Sequence, residues 1–210
     1  MSLPRRLVSE ALGTALLLAA VVGSGIMGQR FFEASGLVLL VNTLATAAML
    51  IVLSLVFAGS HFNPAVSVVL AWRGELSWRE VPAYAGAQVV GAIGGTLLAH
   101  AMFSRPLASF SRAARTGPGQ LLSEFVATFG LLLVVRGTRA PYAVGLYIAA
   151  AYWFTASTSF ANPAVTIARA LTDSFAGIRG VDVPGFILAQ LAGALCAVAL
   201  FGWLKPKEAA

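Results

Sequence analysis

Two asparagines carry the most legible chemistry in this chain. Asn63 and Asn162 each open an Asn-Pro-Ala triplet, Asn63-Pro64-Ala65 and Asn162-Pro163-Ala164. Asparagine is a good helix N-cap, and proline suits the first helical position, where its missing N–H costs nothing. Each triplet therefore predicts a helix start, with a side-chain amide left over to offer hydrogen bonds. Both triplets interrupt long apolar stretches, and each is followed by a short apolar run. A backbone interrupted at membrane depth must satisfy its polar groups within protein or against water. Two half-helices meeting there would aim two positive dipole ends at one point. Such a field repels cations, hydronium included, and leaves neutral solutes free to pass.

Few other groups qualify for chemistry. Glu10 and Glu124 are the carboxylates clearly inside apolar runs, where a charge is expensive and tends to be paired or functional. The histidines are His61 and His100. His61, two residues before Asn63, reads as support for the loop rather than as a metal ligand. His100, near the end of the third long run, has no role in this reading. A single cysteine, Cys196, excludes a disulfide framework and offers no metal site. No nucleophile–base pair or metal cluster is visible, so no catalytic residue, metal or cofactor is expected, and an enzyme is disfavoured.

The elements that must position these residues are membrane helices. Of the 210 residues, 59% are hydrophobic and 10% charged. A soluble domain of this length would carry about 25% charge. The formal charge of +6 does not suggest nucleic acid, because the basic residues sit singly or in pairs at the ends of apolar runs. Arg5 and Arg6 precede an apolar run from Leu7 to Met27 that is long enough to span and is followed by no clear cleavage site. It reads as a first transmembrane helix rather than a leader.

Spans are expected at 6–28, 35–58, 80–103, 119–136, 141–158 and 183–204, with half-helices from Asn63 to just before Arg73 and from Asn162 to near Thr172. The whole reads as one channel domain in two halves, 1–103 and 119–210, joined by a polar, arginine-bearing loop at 104–118. The halves share further landmarks. Ser9-Glu10 with Thr14 matches Ser123-Glu124 with Thr128, and Ala87-Gln88 with Gly91-Ala92 matches Ala189-Gln190 with Gly193-Ala194. Three spans per half is an odd number, so the second half enters the membrane from the opposite side. This is an inverted repeat, which places a shared site near the bilayer midplane. With both termini cytoplasmic, eight basic residues fall inside (Lys205 and Lys207 among them) and six outside, a weak positive-inside bias.

The runs Gly59-Ser60-His61-Phe62-Asn63-Pro64-Ala65-Val66 and Phe160-Ala161-Asn162-Pro163-Ala164 resemble the signatures of the aquaporin and aquaglyceroporin (major intrinsic protein) family. The resemblance covers nearly the whole chain. It implies an all-α membrane fold of six tilted helices and two re-entrant half-helices, assembled as a homotetramer with one pore per subunit. It implies that Asn63 and Asn162 donate to solute at the pore centre, and that Glu10 and Glu124 brace the re-entrant loops.

The sequence departs from the family at the filter. Most members carry arginine directly after the second Asn-Pro-Ala, and here the residue is Val165. A fixed charge and its fork of donors are replaced by a small apolar wall. The usual aromatic position on the second helix, twenty residues before the first asparagine, falls on Thr43. The fifth-helix position aligns with Tyr152, or with Ala151 beside it. The loop position is Ser159, or Phe160 if a gap lies elsewhere. The expected consequence is a wide, weakly polar filter that passes glycerol-sized solutes and neutral metalloid hydroxides such as arsenous acid. The resemblance is closest to bacterial members with valine here, a group associated with arsenic handling. Thr166 stands where glycerol channels commonly carry aspartate, which disfavours an ordinary glycerol facilitator. In the alternative, Tyr152 narrows the pore to water alone.

Arg169 lies four residues after Val165 on the same face of the half-helix. It either charges the outer mouth, faces lipid headgroups, or pairs with Asp173. The chain therefore reads as a passive channel of a bacterial cell membrane, with lipid, water and small neutral solutes as partners. A coupled transporter would need midplane ion ligands beyond the two glutamates. A non-conducting scaffold of the same fold is the third possibility.

Overall fold

The computed structural model describes residues 1–204; the basic residues expected inside at 205 and 207 lie outside that range. The described chain is all helical. In order come α1 (Leu3–Phe31), α2 (Ser35–Val56), α3 (Pro64–Trp72), α4 (Val81–Met102), α5 (Pro118–Gly137), α6 (Pro141–Phe154), α7 (Pro163–Arg169), a short 3₁₀ turn (Gly180–Asp182) and α8 (Val183–Leu204). The two short helices α3 and α7 are the half-helices, each beginning at the proline of its triplet.

The repeat is visible in the packing. α4 lies against α1 in the first half, and α8 lies against α5 in the second. The matched glycines permit both approaches. A Cβ at Gly91 would sit 2.2 Å from the Ala11 carbonyl oxygen, and one at Gly193 would sit 2.3 Å from that of Phe125. α2 and α6 then join the two halves.

Polarity runs opposite to that of a soluble protein. Glu10, Gln88, Glu124 and Gln190 are buried, whereas Leu44, Val90 and Leu188 are 60–68% exposed. Large apolar side chains facing outward around a polar interior suit a lipid solvent. Cys196 is also exposed on this surface. Among the described residues, five helices are long and apolar enough to cross a membrane.

The remaining spanning helix, α6, fifth in chain order, is shorter than expected. It ends at Phe154 rather than near residue 158, which leaves 14 residues, about 21 Å of rise against a hydrocarbon core of about 30 Å. The reason is the segment that follows. Thr158, Ser159 and Ala161 all adopt positive φ, so the chain leaves the helix early to bend back toward Asn162. The second half-helix likewise stops at Arg169, short of Thr172. There the joining loop docks on the chain, with Ser109 and Ser111 N–H groups donating to the Leu171 and Ala170 carbonyls.

Candidate pore and solute filter

The two triplets meet and tie each other. Asn63 Oδ1 accepts from Ala65 N–H at 2.9 Å, and Asn162 Oδ1 accepts from Ala164 and Val165 N–H at 3.0 and 3.3 Å. These are N-caps, as the residue type predicts. The amide groups cross between halves. Asn63 Nδ2 donates to the Ala161 carbonyl at 2.8 Å, and Asn162 Nδ2 donates to the Phe62 carbonyl at 2.7 Å. Phe62 and Ala161 each immediately precede an asparagine, and both sit in the left-handed region, at φ 52° and 48°. Such backbone costs about 1–3 kcal/mol per residue and persists only where the surroundings hold it.

The buried carboxylates supply that hold. Glu10 accepts the N–H groups of His61 and Phe62, both at 2.7 Å. Glu124 accepts those of Phe160 and Ala161, both at 2.9 Å. Each N–H is satisfied by a charged acceptor, the stronger kind of hydrogen bond. Phe62 and Ala161 are thereby pinned at both N–H and C=O.

Two glutamines complete the brace. Gln88 Nε2 donates to Glu10 at 2.8 Å and to Ser67 Oγ at 3.1 Å. Gln190 Nε2 donates to Glu124 at 2.6 Å and to Thr166 Oγ1 at 2.8 Å. Sequence reasoning marked the glutamines only as repeat landmarks. The hydroxyl four residues after each asparagine, at Ser67 and Thr166, was the signal available for their role. The second half adds Ser157, whose hydroxyl donates to Glu124 at 2.5 Å. In the first half His61 Nδ1 lies 2.9 Å from Ser67 Oγ, and its ring stacks on Tyr84.

His100 has a role that the sequence reading did not give it. It is buried, with Nδ1 2.8 Å from the Leu107 carbonyl and Nε2 2.9 Å from Thr172 Oγ1. It ties the end of α4 to both the joining loop and the segment after α7. The signal was weak, because a histidine near a helix end is ordinarily exposed.

A cavity of about 360 Å³ passes the paired asparagines. Its lining runs from Ser54, Thr138 and Arg139 at one end, past Asn63 and Asn162, to Tyr152, Ser159, Phe160, Val165 and Arg169 at the other. Val165 shares this wall with Val66, the matching residue of the first half. Tyr152 lines the cavity and Ala151, although buried, does not. Thr43 is also absent from the lining, and its hydroxyl donates to Leu39 in its own helix. Thr46, one turn further along α2, lines the cavity instead and accepts the Tyr152 hydroxyl at 3.3 Å.

Arg169 neither faces headgroups nor pairs with Asp173. It is 1% exposed, its Nε donates to the Ala176 carbonyl, and its guanidinium carbon lies 3.3 Å from the centre of the Phe160 ring. Asp173 accepts from the Arg112 N–H instead. Arg115, from the joining loop, approaches the same ring at 4.9 Å. It also donates to the carbonyls of Gly177, Ser157 and Phe175. Arg169 is buried and Arg115 half-buried, with carbonyls and an aromatic face replacing water around them.

Comparison with known proteins agrees with this architecture. The family model described as Major intrinsic protein matches residues 1–143 and again 138–209. The aquaglyceroporin AqpS of Rhizobium meliloti is 56% identical over 211 residues, covering 96% of this chain and 91% of that protein. The aquaporin NIP1-3 of Oryza sativa is 32% identical, covering 90% of this chain and 71% of that protein. The X-ray structure of the aquaglyceroporin from Plasmodium falciparum superposes with a TM-score of 0.71 over 95% of this chain and 96% of that one, at 22% identity, which establishes a shared fold. With twinned half-helices, braced loops and a cavity that passes both asparagines, the chain belongs to the major intrinsic protein family.

Proposed function

We propose that this protein is a broad-filter aquaglyceroporin of a bacterial cell membrane. At the coarser level it is an integral membrane protein and a passive channel for water and small solutes, not an enzyme. The finer reading rests on one observation above all. Val165, buried but lining the cavity, stands directly after the second triplet, where the family's usual arginine would narrow the passage. A valine wall fixes no donor and leaves a wider bore. Glycerol-sized solutes and neutral metalloid hydroxides such as arsenous acid then fit, and an aquaglyceroporin among the relatives supports the glycerol-sized part of this range.

Charged solutes are excluded by the paired half-helix N-termini and by Arg169, which restores at the cavity wall a positive charge that Val165 removed. Thr46, Tyr152, Ser159, Phe160 and Val165 form the filter, and Thr43 supports it from within α2. Both termini are cytoplasmic and the assembly is a homotetramer, as the family resemblance implies. A second reading rests on Tyr152: its ring lines the cavity beside Val165 and would confine the pore to water if it narrowed the bore. Stopped-flow measurement on proteoliposomes separates the two. Osmotic water flow without solute entry excludes the broad filter, and flux that saturates and follows an ion gradient excludes a passive channel.

A further inference from the structure

Ten buried side-chain polar atoms lack a hydrogen-bond partner among the described residues. Two of them belong to residues that line the cavity, Arg169 Nη2 and Ser159 Oγ. These residues flank Phe160, one adjacent in sequence and one stacked on its ring. A buried N–H with no acceptor costs more than a made hydrogen bond gains, so such groups call for a partner that the protein itself does not supply. The guanidinium can only donate, whereas a serine hydroxyl can donate and accept. Together they match an oxygen that accepts from one side and carries its own hydrogen toward the other. That is a solute hydroxyl.

We propose that Arg169 and Ser159 form a binding subsite for the hydroxyl groups of uncharged solutes, with Phe160 as the plate that positions the guanidinium. The proposal rests on the broad-filter reading and adds a chemical preference to it. Arg169 is held by the Phe160 face on one side and the Ala176 carbonyl on another, so its fork is oriented before solute arrives. Phe160 is itself fixed, edge to face, by Phe186 at 5.2 Å, and its backbone N–H is held by Glu124. The donor lost at Val165 is thereby supplied one helical turn away. Because the bore at Val165 stays wide, this end selects by hydrogen bonding more than by size.

The test compares glycerol with 1,2-propanediol, solutes of similar size that differ by one hydroxyl. Proteoliposome entry rates, corrected for bare lipid, are taken for wild type, Arg169→Leu, Arg169→Lys, Phe160→Leu and Ser159→Ala. The wild-type ratio of glycerol to propanediol should fall by about tenfold in Arg169→Leu, the scale of one charge-assisted bond. Phe160→Leu should lower the ratio with the arginine still present. Arg169→Lys keeps the charge but not the stacked fork, so cation exclusion should be retained while the ratio stays low. Ser159→Ala should lower the ratio severalfold. If wild type admits both solutes and the ratio is unmoved in Arg169→Leu, the subsite alone is overturned. An equal loss of water, glycerol and propanediol in that variant marks a merely structural arginine and overturns it too. If wild type admits neither solute, the broad-filter reading falls and the subsite falls with it.

Discussion

Replacing Glu124 by glutamine tests how the re-entrant loops are held. The carboxylate accepts four hydrogen bonds, from Phe160 N, Ala161 N, Ser157 Oγ and Gln190 Nε2, at 2.5–2.9 Å. A glutamine keeps one oxygen and turns an NH₂ toward donors. If that NH₂ faces Ser157, the serine can rotate to accept, but the Phe160 N–H then confronts another donor. At least one buried backbone N–H is left unsatisfied, at about 1–3 kcal/mol, and the remaining bonds lose their charge assistance. The expected destabilisation is about 2–5 kcal/mol, somewhat offset because no charge need be buried. By the scaling for soluble domains of this size, that is a fall in midpoint of roughly 5–15 °C. The loop suffers most, since Thr158, Ser159 and Ala161 would relax from positive φ and carry Asn162 out of register. Thermal unfolding of purified protein and stopped-flow water permeability should both fall. Glu10→Gln should cost a similar amount, because the first half repeats the arrangement without the serine. Ser157→Ala should cost about 1 kcal/mol. A Glu124→Gln protein with wild-type midpoint and wild-type permeability would refute the bracing argument.

Other outcomes follow from the same geometry. Gly193→Val should push α8 off α5, lowering the thermal midpoint by an amount equivalent to about 1–3 kcal/mol, because even a Cβ there would overlap the Phe125 carbonyl; a soluble, wild-type-stable variant would contradict the close approach. Tyr152→Ala should raise glycerol entry about twofold in a broad pore, whereas a change from no entry to entry would favour the narrow reading; uptake assays distinguish them. Burial pushes the Glu75 carboxyl up, but hydrogen bonds from Arg73 and Arg136 outweigh it and hold the group below its ordinary value. Its stabilising link between the end of α3 and the end of α5 is therefore present above the ordinary carboxylate range and lost as pH falls through the lowered value. Unfolding midpoints measured against pH should show less acid sensitivity in Glu75→Gln. His100→Leu should loosen the joining loop, seen as faster hydrogen exchange around Leu107 and Thr172.

The parts legible in the sequence were those written twice. The Asn-Pro-Ala pair located both half-helices, and the matched glutamates, glutamines and glycines fall at equivalent contacts in the two halves. What was not legible depends on backbone shape or on burial against residue type. Three non-glycine residues at positive φ between Phe154 and Asn162 leave no mark in composition, and they end α6 at Phe154 rather than at the expected 158. In the sequence Arg115 reads as an outside charge, and Arg169 as a charge at the outer mouth, at the headgroups or beside Asp173; only folding reveals the carbonyls and the ring that receive them. Counting residues back from Asn63 reaches Thr43, whereas Thr46, on the same face of α2 one turn further along, lines the cavity that passes the asparagines.

On the proposed reading Val165 sets a wide filter. Its most direct test is permeability to water, glycerol and arsenous acid in wild type and in Val165→Arg. Wild type should pass all three, and the arginine variant should lose glycerol and arsenous acid first while water persists. Equal loss of all three, water included, would contradict a filter set by size at this position.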